Sequence, residues 1–220
     1  MGRPSEATDR AMMARCIELS ALATKEGEYP FGSVIALDGR IIAESANRTF
    51  RDNDLSRHAE VVALQLALKS VDRTDLRRAT LYTNVEPCAM CSYCIREAWV
   101  GRVVYALTSP VMGGATKWNI LRDPDIASRV PVFAPAPEVV SGVLAREVQE
   151  SWRAWNPITW EMIRMRGILT APELQDEPPV QVLAGHARSA WHCLVHTFMK
   201  RSKRTKPVSV PAVRQQGIEP

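Results

Sequence analysis

The sequence lacks the segments that would place it in or across a membrane. No apolar run approaches the roughly 18 residues needed to span a bilayer. Unlike a secretory signal, the first twenty residues are interrupted by charged side chains. With 46% hydrophobic and 24% charged residues and no internal repeat, the composition excludes wholesale disorder, collagen-like repeats and a disulfide miniprotein. We therefore expect a cytoplasmic globular protein.

Cysteine is scarce and odd in number, with five residues in a chain of 220. Three of them, Cys88, Cys91 and Cys94, fall within seven residues, whereas Cys16 and Cys193 are distant. In a reducing compartment such clustering indicates metal binding or chemistry rather than disulfide bonds.

Basic charge is also scarce outside the end of the chain. The net charge is +4, but residues 200–220 contain six Lys or Arg and one Glu, which leaves residues 1–199 with a net charge of −1. The basic segment could contact phosphates, yet it has no aromatic residue after Phe198 to stack on bases. We predict one folded domain over residues 1–170 and a proline-containing extension with a basic, disordered tail over 171–220.

The hydrophobic pattern predicts helices and strands that alternate in the second half of the domain. The predicted segments are a helix over 5–25 capped by Ser5, strands at 33–37 and 41–45, a helix over 58–70, a strand at 79–85, a helix over about 88–98, a strand at 102–107 and an amphipathic helix over 138–155. Asp38-Gly39 is a strong hairpin signal between the first two strands. Strands alternating with helices indicate a sheet with parallel neighbours and helices packed on its faces.

Two short motifs, HAE and PCAMC, carry the residues of most chemical interest. Cys88 and Cys91 are three residues apart at a predicted helix start, so both sulfurs can reach one ion, and His58 could add a nitrogen ligand. Three protein ligands favour a catalytic zinc site, which keeps its fourth position for water, over a structural site with four protein ligands. Glu60 is then available to move the proton of that water.

Each fragment alone has a more ordinary interpretation. An isolated His is usually a polar surface or core residue, and CxxC could be redox-active or half of a four-cysteine zinc knuckle. Together, an HxE motif opening one helix and a PCxxC motif opening another are the signature of zinc-dependent nucleobase deaminases. Because Cys94 lies about 9 Å along the helix from Cys88, we predict that it is a packed thiol rather than a ligand.

The chain resembles the cytidine and deoxycytidylate deaminase superfamily, and within it the guanine deaminase and tRNA adenosine deaminase branch, over about residues 29–111. The segments that carry this resemblance are YPFGSVIALDGRIIAESAN, RHAEVVAL, TLYTNVEPCAMCSYCI and GRVVYAL. The resemblance implies an α/β, three-layer α-β-α fold with a mixed five-stranded sheet and helices on both faces. Zinc would be held at the starts of two helices.

The resemblance also implies a role for each site residue. His58, Cys88 and Cys91 would bind one Zn²⁺ per subunit, with water or hydroxide as the fourth ligand, and Glu60 would be the general acid/base. The residues implied to contact the base are Asn47, Phe31 and the backbone N–H of Ala59. Trp118, in the segment after the strand at 102–107, could stack on a planar base.

The implied reaction is hydrolytic deamination of an aminated ring with release of ammonia. A guanine-like free purine is the first expected substrate, ahead of other purines, aminotriazines, cytosine or a nucleoside. A tRNA adenosine deaminase and a catalytically silent subunit are the alternatives, although a silent subunit has no need of Glu60. By resemblance we expect a homodimer.

The residues before the HAE motif depart from the branch. Leu55 and Arg57 stand where the branch usually has proline and a small residue. Arg57 could contact a substrate oxygen or phosphate, or it could be a solvated residue at the start of the helix.

Overall fold

The computed structural model describes residues 4–171, so the predicted extension and basic tail lie outside the described residues, apart from residue 171. Within this range no helix is long and apolar enough to cross a membrane. The elements are α1 (Glu6–Lys25), β1 (Gly32–Leu37), β2 (Arg40–Ala46), α2 (Ala59–Ala67), α3 (Arg73–Leu76), β3 (Thr80–Val85), α4 (Ala89–Glu97), β4 (Arg102–Leu107), α5 (Asp125–Arg129), β5 (Glu138–Val140), α6 (Ala145–Trp155) and α7 (Pro157–Met165).

Local sequence signals set the first elements. The Ser5 hydroxyl accepts a hydrogen bond from the Thr8 backbone N–H and caps α1, as predicted. Gly27 ends that helix region with a φ of +83°. Asp38 and Gly39 both have positive φ, 51° and 79°, which matches the twist of a tight hairpin turn between β1 and β2.

The five strands form one mixed sheet in the order β2-β1-β3-β4-β5. Strand β1 pairs antiparallel with both β2 and β3, whereas β3–β4 and β4–β5 are parallel. The prediction of a mixed five-stranded sheet is therefore confirmed.

The two faces of the sheet are covered by different helices. One buried cluster joins the sheet to α1, α6 and α7 and includes Met13, Val148, Trp152 and Trp160. The other joins the opposite face to α2 and α4 and includes Ala63, Leu64, Leu81 and Ile95. These clusters make the predicted three-layer α-β-α architecture.

The helix predicted over residues 138–155 is wrong in its first part. Glu138–Val140 forms β5 beside β4, and the helix α6 begins only at Ala145. Gly142 has a φ of +86°, which interrupts any continuous helix between the two elements. The β-branched Val139 and Val140 suit the strand, but their spacing also fits a helical repeat, which explains the error.

Candidate metal centre

Two helix starts meet where β3 ends. His58 is the N-cap of α2, and Cys88 is the N-cap of α4, which follows β3 after a short turn through Pro87. Both residues have extended backbone. The site thus lies at the carboxyl end of a parallel strand, where α/β sheets commonly bind ligands.

His58, Cys88 and Cys91 bring three potential ligand atoms together. The two Sγ atoms are 3.6 Å apart, and His58 Nδ1 lies 3.7 Å from Cys88 Sγ and 3.5 Å from Cys91 Sγ. A tetrahedral zinc site with ligand distances of about 2.3 Å to sulfur and about 2.1 Å to nitrogen needs separations of about 3.8 Å and about 3.6 Å. The three residues therefore fit a zinc ion, and they form a group that could hold a metal.

The electrostatics of this group favour a thiolate. Two hydrogen-bond contacts lower the pKa of Cys88 to about 4, and the contact with the Cys91 thiol has a larger effect than the contact with His58. The contact with Cys88 raises the pKa of His58. Because the thiolate is the form of cysteine that ligates metals, Cys88 is suited to hold a cation.

Glu60 lies beside the three potential ligands. It is the second residue of α2, its side chain is in hydrogen-bond contact with Cys91, and burial raises its pKa. Ala59, the first residue of the helix, is fully buried. Cys94 is not part of the ligand group found among residues 4–171, in agreement with the prediction that it packs as a thiol.

Asn47 directly follows β2, and Phe31 directly precedes β1. The Asn47 backbone N–H donates to the Phe31 carbonyl oxygen at 3.0 Å, and the next backbone N–H, of Arg48, donates to the Arg57 carbonyl oxygen at 3.1 Å. The Phe31 ring packs edge-on against Trp152 with centroids 5.4 Å apart. These bonds tie the segment holding Asn47 to the residue that precedes the His58 ligand position.

Trp118 lies on the loop that follows β4. Its side chain is 56% exposed, and its backbone N–H donates to Gly113, a residue that forms a β-bridge with Cys88. Among the described residues, no hydrogen bond or ring contact joins Trp118 to the three potential ligands. The loop is thus adjacent to the site, and the role of Trp118 stays a prediction.

Arg57 is bonded within its own loop. Its Nε donates to Asp52 at 3.1 Å, and a terminal nitrogen donates to Gln65 at 2.6 Å. Arg48 also pairs with Asp52, at 3.0 Å. The side chain of Arg57 is therefore held near the surface by its neighbours rather than freely solvated.

Sequence reasoning missed two buried carboxylates that shape the site. One is Glu86, which accepts hydrogen bonds from the backbone N–H groups of Ser109, Ala115 and Thr116 at 2.7–2.9 Å. A Cβ at Gly113 would clash with the Glu86 carboxyl group, so only glycine fits against it. The contacts fix the loop after β4 against the turn that carries Cys88.

The second missed carboxylate is Glu28, which is 1% exposed and bonds to the segment that follows β2. The sequence did offer one indication of these residues, which is their position. Each of the two glutamates lies within two residues of a proline next to a strand. An acidic residue at such a boundary has backbone N–H groups nearby to accept from.

Comparisons with known proteins agree with this geometry. The family model for the cytidine and deoxycytidylate deaminase zinc-binding region matches residues 6–107. The tRNA-specific adenosine deaminase of Agrobacterium fabrum is 36% identical over 131 residues, which are 60% of this chain and 82% of that protein. A probable cytosine deaminase of Schizosaccharomyces pombe is 38% identical over 101 residues, covering 46% of this chain and 61% of that protein.

Solved structures show the same fold. A structure from studies of A-to-I editing by tRNA:A34 deaminases has a TM-score of 0.55 and 30% identity, and the match covers 64% of this chain and 98% of that one. The guanine deaminase from Nitrosomonas europaea has a TM-score of 0.53 at 22% identity, covering 71% of this chain and 86% of that one. The second likeness supports the fold alone.

Proposed function

The chain belongs to the zinc-binding cytidine and deoxycytidylate deaminase family, and we propose that it hydrolyses the exocyclic C–N bond of a nucleobase or related aminated heterocycle. A guanine-like base is our first candidate substrate. The observation that carries the proposal is the trio of ligand atoms at zinc-compatible separations, with the buried Glu60 carboxyl group beside it.

His58, Cys88 and Cys91 would hold the zinc ion, and Glu60 would move protons. When bound, zinc lowers the pKa of water and so supplies a nucleophile near neutral pH. Glu60 would accept a proton from the attacking water and pass it to the ring nitrogen beside the reacting carbon. It would then take the remaining proton from the hydroxyl group added to the ring carbon and give it to the exocyclic amine, so that the carbonyl forms, the C–N bond breaks and ammonia leaves.

The base would be held by the elements around these groups. Asn47 would hydrogen-bond the ring, Phe31 would form an apolar wall, and the backbone N–H of Ala59 would face the base at the start of α2. The backbone bonds from Asn47 to Phe31 and from Arg48 to Arg57 support this placement, because they join the segments that carry both residues to the segment that leads to His58.

Adenosine in tRNA is the second candidate substrate. Three tRNA-specific adenosine deaminases, from Agrobacterium fabrum, Haemophilus influenzae and Bacillus subtilis, are 32–36% identical to this chain, which covers 79–83% of each. The net charge of −1 over residues 1–199 favours a small substrate instead, because nucleic-acid binding draws on basic surfaces.

An ammonia-release assay with the zinc-loaded full chain tests the proposal and ranks the substrates. The panel contains guanine, adenine, cytosine, their nucleosides, aminotriazines and a tRNA anticodon stem-loop. We expect turnover of guanine or, for the second candidate, of the stem-loop, with one zinc per chain by elemental analysis. Full zinc occupancy without ammonia from any member would contradict the enzymatic proposal and favour a silent subunit.

We also propose that the protein is a homodimer, by analogy with its family. Large apolar side chains on α4 and on the loop after β4 are exposed, among them Met90 at 37%, Tyr93 at 49% and Met112 at 50%. Light scattering should give twice the mass of the chain, and Tyr93→Arg should give the mass of one chain. An unchanged dimer in that variant would exclude this surface, and a wild-type monomer would contradict the proposal.

A further inference from the structure

Glu28 receives hydrogen bonds from four donors and is almost fully buried. Its Oε1 accepts from the backbone N–H groups of Phe50 at 2.8 Å and Arg51 at 2.7 Å. Its Oε2 accepts from Asn47 Nδ2 at 2.9 Å and from the Thr49 hydroxyl at 3.2 Å. Both carboxyl oxygens of Glu28 therefore act as acceptors toward the segment 47–51.

This arrangement determines which way the Asn47 amide points. The amide nitrogen faces Glu28 Oε2, to which it donates, and the second N–H of the same nitrogen donates to Thr49 Oγ1 at 3.0 Å. Both donors of the amide are therefore used inside the protein. Within residues 4–171, no hydrogen bond is made to Asn47 Oδ1, so the amide has only an acceptor to offer a ligand.

We propose that Glu28 is a positioning residue, which holds Asn47 as a pure acceptor and so makes the enzyme select substrates with an N–H or O–H donor at that point. The inference rests on the proposed function, in which Asn47 contacts the substrate. On a free purine the donor is an imidazole N–H. On a nucleoside the imidazole nitrogen carries the sugar, so the donor is a ribose hydroxyl.

Matched probe pairs test the selectivity and distinguish the two sources of the donor. For the free base we compare guanine with 9-methylguanine, which has no imidazole N–H. For the nucleoside we compare an anticodon stem-loop carrying adenosine with one carrying 2′-fluoro-2′-deoxyadenosine at the target position. The pair that is turned over should show a preference of about tenfold or more in kcat/KM for the donor-bearing member, since the alternative leaves a buried acceptor unpaired.

Glu28→Gln should weaken or reverse this preference. The glutamine oxygen can still accept from the Phe50 and Arg51 N–H groups, and its amide nitrogen then faces Asn47, which must turn its oxygen inward. Asn47 would now present its N–H groups to the substrate. We expect a preference below about twofold, whereas a steric penalty from the added methyl group or fluorine would persist unchanged.

Thr49 provides a second variant that leaves Glu28 in place. Thr49→Val removes the hydroxyl that accepts the second Asn47 N–H and should reduce the preference several-fold, and Thr49→Ser should restore it. Zinc content and the midpoint of thermal unfolding are measured for each variant. The same ratios are read as Kd values by calorimetry in the Glu60→Gln background, where substrate binds without turnover.

The outcomes separate this inference from the proposed function. Absence of turnover for all probes in the zinc-loaded wild type contradicts the proposed function, and the inference falls with it. Turnover without any donor preference contradicts the inference alone. So does a preference that stays complete in both Glu28→Gln and Thr49→Val.

Discussion

Buried polar groups serve different purposes at the two ends of the parallel strands. Near the start of β4, Arg102 donates two hydrogen bonds to Asp9, both at 2.7 Å, and the Tyr82 hydroxyl donates to the same carboxylate at 2.8 Å. Both charged side chains are less than 10% exposed. Here the two opposite charges form an ion pair, which joins α1 to the sheet.

At the other end of these strands, around the metal centre, polar atoms lie close together but do not use all of one another's ligand and hydrogen-bonding positions. His58, Cys88 and Cys91 direct three ligand atoms at a common centre, and Asn47 offers an acceptor that no group in residues 4–171 uses. A structural network of buried polar groups thus differs from a functional one. In the first, the charges of Asp9 and Arg102 pair within the protein, and the second is complete only with an ion and a ligand.

The largest effect of a single substitution is expected at the metal centre, for Glu60→Gln. The amide cannot carry the proton between water, ring and leaving amine, so kcat should fall by about a thousandfold or more. Zinc should be retained at one per chain, because the three ligands are unchanged. Ammonia release and elemental analysis measure the two quantities, and substantial turnover in the variant would remove Glu60 from its proposed role.

A second large effect, on stability rather than turnover, is expected for Arg102→Met. The change removes the guanidinium from a buried carboxylate and should lower the free energy of unfolding by about 3 kcal/mol. Turnover per folded molecule should stay within about twofold, because the pair lies at the opposite end of β4 from the metal centre. Chemical denaturation and the ammonia assay on the same preparation check both statements.

An exposed ion pair provides the control for Arg102. Arg73 and Glu97 are 3.8 Å apart with side chains 44% and 53% exposed, so Arg73→Met should cost less than about 1 kcal/mol. Equal losses of stability in the two arginine variants would show that burial does not distinguish these pairs. A loss of turnover in Arg102→Met comparable to that of Glu60→Gln would show that the two ends are not separate.

The metal centre could be predicted from the sequence because its motifs each lie within a few consecutive residues. The spacing of Cys88 and Cys91 within one helix start, and of His58 and Glu60 within another, specifies which side chains share a face. Ser5 and the Asp38-Gly39 turn are likewise local, since each acts through residues no more than a few positions away.

The supporting contacts could not be predicted, because they join distant segments. The bond between Glu28 and Asn47 spans 19 residues, and that between Glu86 and Ser109 spans 23. Strand β5 has three residues, too few for a periodic pattern, and it is defined by pairing with β4. Such features depend on the tertiary structure, whereas each motif of the metal centre depends only on the geometry of a single helical turn.

A smaller effect than those of the Glu60 and Arg102 variants is expected for Trp118→Ala, which tests whether the loop after β4 belongs to the functional end. If the indole stacks on the base, its loss should raise KM about tenfold with little change in kcat, since stacking contributes about 1–3 kcal/mol per base. Because Trp118 is 56% exposed, the variant should unfold at nearly the wild-type temperature. Ile158→Ala, at a 59% exposed apolar residue of α7, is the matched control and should leave KM unchanged. An unchanged KM in Trp118→Ala would assign the loop held by Glu86 to support of the metal centre alone.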